Sequence, residues 1–314
     1  MHTIDPWYYA HAGLTGVAIF TLFGVWIASF CAVRRRSDPA RLAFSLLEVP
    51  LVIYALRLIL IAVSDALAVR SLNLVYDADN EDEYLARAED NFRLTLNIKT
   101  VAILFAAISN MVLLFALVEL GNGLIFALER QRTRSQKNIR CLALLFGITI
   151  LALGLAIFGM MQKVWPQAWD IATIELFDSI SADLRTINRM TVAYAILDWI
   201  TYVAVLIYAS VVMNLYRNIK ASRGCAIIYL TAAIIGVIRC TWILAHSIQT
   251  VYWPLEHPST DAVLMLSIFL DIWMYSAIFG LLFVARMKKQ GGLWTTEQPW
   301  MNVSTKPTSS DEEK

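Results

Sequence analysis

Residues 225–251 read CAIIYLTAAIIGVIRCTWILAHSIQTV. The run exceeds the roughly 20 apolar residues that a helix needs to cross the hydrocarbon core. Its one formal charge, Arg239, stands near the middle. Six runs of the same kind lie at 13–33, 43–68, 99–128, 141–161, 190–215 and 262–285. Together they take up most of the 314 residues and leave no room for a separate soluble domain. The expected fold is all-α: a polytopic bundle of seven transmembrane helices over residues 1–289. A polar tail, 290–314, ends in Asp311-Glu312-Glu313 and reads as disordered and cytoplasmic.

Composition points the same way. The chain is 58% hydrophobic and only 16% charged, against about 25% charged residues in an average soluble domain. A net charge of +1 argues against nucleic acid as a partner. The expected surroundings are membrane lipids, in the plasma membrane or an endomembrane.

The basic residues alternate from loop to loop. One side receives Arg34, Arg35, Arg36 and Arg41, then Arg130, Arg132, Arg134, Lys137 and Arg140, then Arg217, Lys220 and Arg223, and finally Arg286, Lys288 and Lys289. The other side holds Arg70, Arg87, Arg93, Lys99, Lys163, Arg185 and Arg189, spread over longer loops. The positive-inside rule then places the N-terminus outside and the C-terminus in the cytoplasm. The first span lacks a basic segment before it and is followed by three arginines, the reverse of a cleaved secretory signal.

Two long connections lie on the acidic side. The stretch from Glu83 to Lys99 reads as a helical extension of the third span. Within 162–189, Trp165, Trp169, Ile171, Ile174, Leu176, Phe177, Ile180 and Leu184 recur at helical spacing. That face suits an interfacial helix on the outer leaflet.

Charges inside the spans carry the functional argument. Arg57, Arg239 and Asp271 stand near the centres of spans 2, 6 and 7. Asp198 lies about 7 Å from the centre of span 5 and Glu119 about 9 Å from that of span 3, on the opposite side, at ~1.5 Å per residue. An arginine at a helix centre costs ~2.5–3.5 kcal/mol even on the lenient scale, so these groups are expected to face inward and pair. Depth favours Arg239 with Asp271; Arg57 then takes Asp271 or Asp198. Such a network is either a clamp that fixes the bundle or the floor of a ligand cavity, and the two are compatible. Asn110, Asn122, Thr201, His246 and Gln249 extend the polar set. Glu48 and Asp65 fall near the two interfaces, where water reaches them.

The rest of the sequence supplies little chemistry. His2, His11, His246 and His257 show no ligand spacing, and no nucleophile stands with a base, so neither a metal, a cofactor nor an enzymatic activity is expected. Cys31, Cys141, Cys225 and Cys240 lie away from the acidic-side loops, which argues against an extracellular disulfide. Span 4 has small residues at Ala143, Gly147, Ala152, Gly154 and Ala156, suited to close helix packing or to a dimer face.

Seven spans with the N-terminus outside is also receptor topology. The chain lacks an Asp-Arg-Tyr triplet after span 3 and an Asn-Pro-x-x-Tyr turn in span 7. The stretch Ile235-Gly236-Val237-Ile238-Arg239-Cys240, with Asp271 in the next span, resembles the arginine-bearing sixth and acidic seventh spans of small fungal seven-span proteins, among them the lipid-translocating exporter-like family. That resemblance covers about 50 residues and implies the handling of lipids or other amphiphiles, by transport or in resistance to membrane stress, with a small amphiphilic ligand. The alternative is an orphan seven-span receptor that contacts a cytoplasmic partner through 129–140 and 216–224.

Overall fold

The computed structural model describes residues 6–31, 41–77, 82–129, 133–169, 174–217, 223–252 and 260–287. They form α1 (Pro6–Cys31), α2 (Arg41–Asp77), α3 (Asp82–Glu129), α4 (Arg134–Trp169), α5 (Ile174–Leu215) and α6 (Arg223–Tyr252). The last crossing is interrupted: α7 (Thr260–Ser267) passes through a π-helical turn (Ile268–Trp273) into α8 (Met274–Met287). Seven helical stretches among the described residues are long and apolar enough to cross a membrane, so the chain is a helical multi-pass bundle. The tail at 290–314 lies outside the described residues, as do most of the basic connections, including Arg130, Arg132 and Lys220.

The helices follow one another around a ring: α1 packs on α2, α2 on α3, and so on to α6, which meets α8, and α8 returns to α1. Helix α3 also reaches α5 and α6, and so runs nearest the centre. It is 48 residues long, about 70 Å at ~1.5 Å per residue, and overshoots a ~30 Å hydrocarbon core. The expected extension over Glu83–Lys99 is therefore part of α3 itself. On the inner side the bundle is filled by rings and aliphatic groups: Tyr54, Tyr202, Tyr229, Tyr275 and Phe279 are fully buried among Leu58, Leu113 and Leu117.

Small residues decide how near the helices come. A Cβ on Gly154 would run into Ala107 of α3, and one on Gly147 would press on Met111. Those two glycines of α4 therefore serve close packing on α3, one of the two roles their pattern allowed. Gly236 of α6 lies flat against the ring of Tyr202, which is itself fully buried. Gly236→Ala is expected to cost about 1–3 kcal/mol through overpacking. Gly24→Ala, at a position with open space around it, should be neutral or stabilising by up to about 1 kcal/mol through helix propensity. Thermal unfolding of the two variants in detergent separates the effects.

Among the described residues of 162–189 there is no separate interfacial helix of the kind expected. Helix α4 runs on to Trp169 and α5 begins at Ile174, so both flanks of the connection are ends of spanning helices. Val164 of α4 packs with Ile180 and Ile187 of α5, beside Leu184 and Met161. Lys163 donates to Asp183 across the pair at 2.8 Å. An apolar face at helical spacing needs a cover, and for Ile180 and Leu184 the neighbouring helix provides it. Trp169 ends α4, and Ile171 lies outside the described residues.

Candidate functional site

The mid-depth charges meet on one carboxylate. Arg57 of α2 donates from Nη2 to Asp271 Oδ2 at 3.1 Å, and Arg239 of α6 donates from Nε to Asp271 Oδ1 at 2.8 Å. Asp271 sits in the π-helical turn, where the N–H of Met274 reaches back five residues to the carbonyl of Phe269. That extra residue per turn breaks the α-helical register of the span. Such single-turn insertions occur often at functional sites.

Two tyrosines carry the guanidinium groups. Arg239 lies over the ring of Tyr275, 4.3 Å from its centroid, and Arg57 lies over Tyr54 at 5.2 Å. The two rings touch each other, with centroids 4.1 Å apart. Tyr275 is held in turn by a 3.0 Å hydrogen bond between its hydroxyl and Ser109 Oγ, which also donates to the carbonyl of Pro50. Ring faces are electron-rich, and the attraction to a cation strengthens when water is excluded. The stack therefore compensates part of the cost of placing two cations in a dry interior.

Asp198 is buried close by, but its partners differ from those expected. Its Oδ2 accepts from Asn110 Nδ2 and from Cys240 Sγ, each at 3.4 Å, and the described residues include no arginine in ion-pair contact with it. Asn110 also donates to the hydroxyl of Tyr194 at 3.0 Å. Of the other polar residues expected here, Thr201 bonds to the carbonyl of Asp198, and His246 stacks on Trp242 near the end of α6.

Glu119 does not belong to this network. It lies at the opposite, basic end of the bundle, where Arg140 grips it with two donors and Asn122 adds a third at 3.2 Å. Tyr208 donates to Asn122 Oδ1 at 2.7 Å and extends the cluster to α5. Arg140, which charge alternation marks as a topology signal, is thus an interhelical partner. The two near-interface carboxylates are paired as well. Glu48 accepts from Arg286 at 3.1 Å, and Asp65 lies between His11, at 3.2 Å, and Lys99, at 3.8 Å. Both also stay partly exposed, as their places near the two interfaces lead one to expect.

Arg57, Asp198, Arg239 and Asp271 all line one cavity of about 520 Å³ between α2, α3, α4, α5, α6 and the α7 end of the last span. Its walls are largely apolar, with Ile103, Ala106, Ile157 and Met161 prominent. The volume falls within the ~300–1,000 Å³ of small-molecule sites. The charged groups come from the middle of their helices, while Thr191, His246, Ser247 and Ser267 come from nearer the acidic end. The cavity thus occupies the acidic-end half of the bundle, with the charges at its floor. A second, smaller cavity of about 290 Å³ lies at the basic end beside Glu119, Arg140 and Lys137. Neither Tyr54, Tyr275 nor the π-helical turn stood out in the sequence; aromatic residues are common in every span, and register breaks leave no composition signal. No family model, curated protein or solved structure matches the chain.

Proposed function

We propose that this protein is an integral membrane protein that handles lipids or other amphiphiles, taking them into the cavity at mid-depth for transport across the bilayer or in resistance to membrane-active compounds. One observation carries the reading: an apolar-walled cavity of about 520 Å³ with Arg57, Arg239, Asp271 and Asp198 at its floor. An amphiphile matches both parts, its chain against the walls and its polar end against the charges. With the N-terminus outside, the orientation that the positive-inside rule favours, the cavity lies in the outer-leaflet half of the bundle. The resemblance of the Arg239 and Asp271 stretches to fungal lipid-translocating exporter-like proteins points in the same direction.

The test is leaflet exchange of short-chain fluorescent lipids in reconstituted vesicles. Wild-type protein is expected to speed exchange over protein-free vesicles. Ala106→Phe, which fills the wall and leaves the charges in place, should reduce the gain about tenfold or more. A wild-type rate equal to that of protein-free vesicles for every lipid tried would remove the transport form of the reading. If, in addition, no amphiphile raised the unfolding temperature, the whole reading would fall.

A further inference from the structure

The cavity floor has more cationic donors than anionic acceptors to receive them. Arg57 and Arg239 share the single carboxylate of Asp271. The second carboxylate, Asp198, is bonded by Asn110 and Cys240. Nη1 of Arg57 and Nη1 of Arg239 are both buried with no hydrogen-bond partner among the described residues. Arg239 is only 2% exposed. The hydroxyl of Tyr54, whose ring lies under Arg57, is likewise without a partner. Buried polar groups are almost always satisfied, and a bare cationic donor is the costliest exception. Here three donors stand together, two of them on residues that line the same cavity.

Resting on the amphiphile reading, we infer that the polar end of the ligand is an anion, a carboxylate or a phosphate, which enters between Arg57 and Arg239 and shares them with Asp271. Guanidinium groups suit this task because their planar fork matches carboxylate and phosphate oxygens two at a time. Each arginine uses one nitrogen on Asp271 and keeps another uncommitted. Both Nη1 atoms are covered in this conformation, so the anion engages them through a rotation of the guanidinium groups that loosens, without breaking, their hold on Asp271. Asp271 is therefore a built-in competitor for the same arginines. Neutralising it should strengthen anion binding, whereas a carboxylate that acted only as a scaffold would give no such gain.

The experiment follows thermal unfolding of the full chain in neutral detergent with four probes of one tail length: decanoate, decyl phosphate, decanol and decyltrimethylammonium. Acetate and inorganic phosphate provide the headgroups without a tail. Decanoate and decyl phosphate are expected to raise the unfolding temperature saturably, and decanol and the cation to leave it unchanged. The tailless anions should need at least about a hundredfold more, since they forgo burial of the chain. In Asp271→Asn the starting temperature falls, and half-maximal stabilisation by decanoate moves to a roughly tenfold lower concentration. Arg57→Gln removes the response. Decanol as effective as decanoate would overturn the anionic headgroup and leave the amphiphile reading standing. Acetate or phosphate as effective as decanoate would keep the anion and overturn its lipid tail. No stabilisation by any probe would sink this inference, and together with an absent gain in leaflet exchange it would sink the amphiphile reading as well. If Asp271→Asn yields no folded protein, the wild-type series and Arg57→Gln decide.

Discussion

Replacing Asp271 by Leu is expected to remove about 3–5 kcal/mol of stability, the cost of breaking a buried ion pair from one side. Two arginines would then stand at mid-depth without a carboxylate in ion-pair contact, since the nearby Asp198 is bonded to Asn110 and Cys240 instead. Total stabilities of ~5–15 kcal/mol leave little margin for such a loss. The readout is the yield of monodisperse protein and its unfolding temperature in detergent. The triple variant Arg57→Met, Arg239→Met, Asp271→Leu should recover most of the loss. It removes all three charges together, with Met close to Arg in size and Leu larger than Asp, and buried ionic clusters replaced by apolar residues are often no less stable. The comparison separates two roles that the geometry combines. Recovery of stability with loss of the decanoate response would mean that the charges serve the ligand. A triple variant as unstable as Asp271→Leu would mean that the stack on Tyr54 and Tyr275 depends on the cations, and that the network is structural first.

The seven crossings and the central ion pair were legible because a bilayer punishes deviation. A charge such as Arg239 in the midst of an apolar run must find a partner at its own depth, and Asp271 in the next span was the obvious candidate. The choice for Arg57 between Asp271 and Asp198 was open, since depth alone ranks carboxylates but does not say which way a helix is rotated. Rotation is settled by packing, such as Gly236 on Tyr202 and Gly154 on Ala107, and these contacts join residues far apart in sequence. The π-helical turn at Ile268–Trp273 was illegible for a related reason. Its residues are ordinary span residues, and the register break appears only in the backbone. At 162–189 the apolar spacing is that of a helix, and the described residues on both sides of 170–173 are helical, but a helical face does not say what covers it. Val164 on one side of the connection and Ile180 and Ile187 on the other cover each other.

Glu119 shows the remaining kind of illegibility, and its pair yields the second large effect. Arg140→Ala is expected to cost about 3–5 kcal/mol, whereas Glu119→Gln should cost about 1–2 kcal/mol. The asymmetry follows from exposure. Glu119 is 4% exposed and Arg140 is 33% exposed. Without Arg140, the carboxylate stays buried with the amide of Asn122 as its remaining donor. Without the charge on Glu119, Arg140 still reaches water, and the glutamine oxygen still accepts a hydrogen bond. Unfolding temperatures of the two variants side by side give the comparison. Equal losses would mean that Arg140 is held as tightly as its partner and that the basic end is closed to water. The unequal outcome has a structural consequence. Arg140 stands in the second turn of α4 and Glu119 nearly three turns before the end of α3. Their bond therefore ties the two helices together across the short connection between them. A basic residue at a span end can thus serve two purposes, setting which side of the membrane its loop occupies and holding the bundle closed once there.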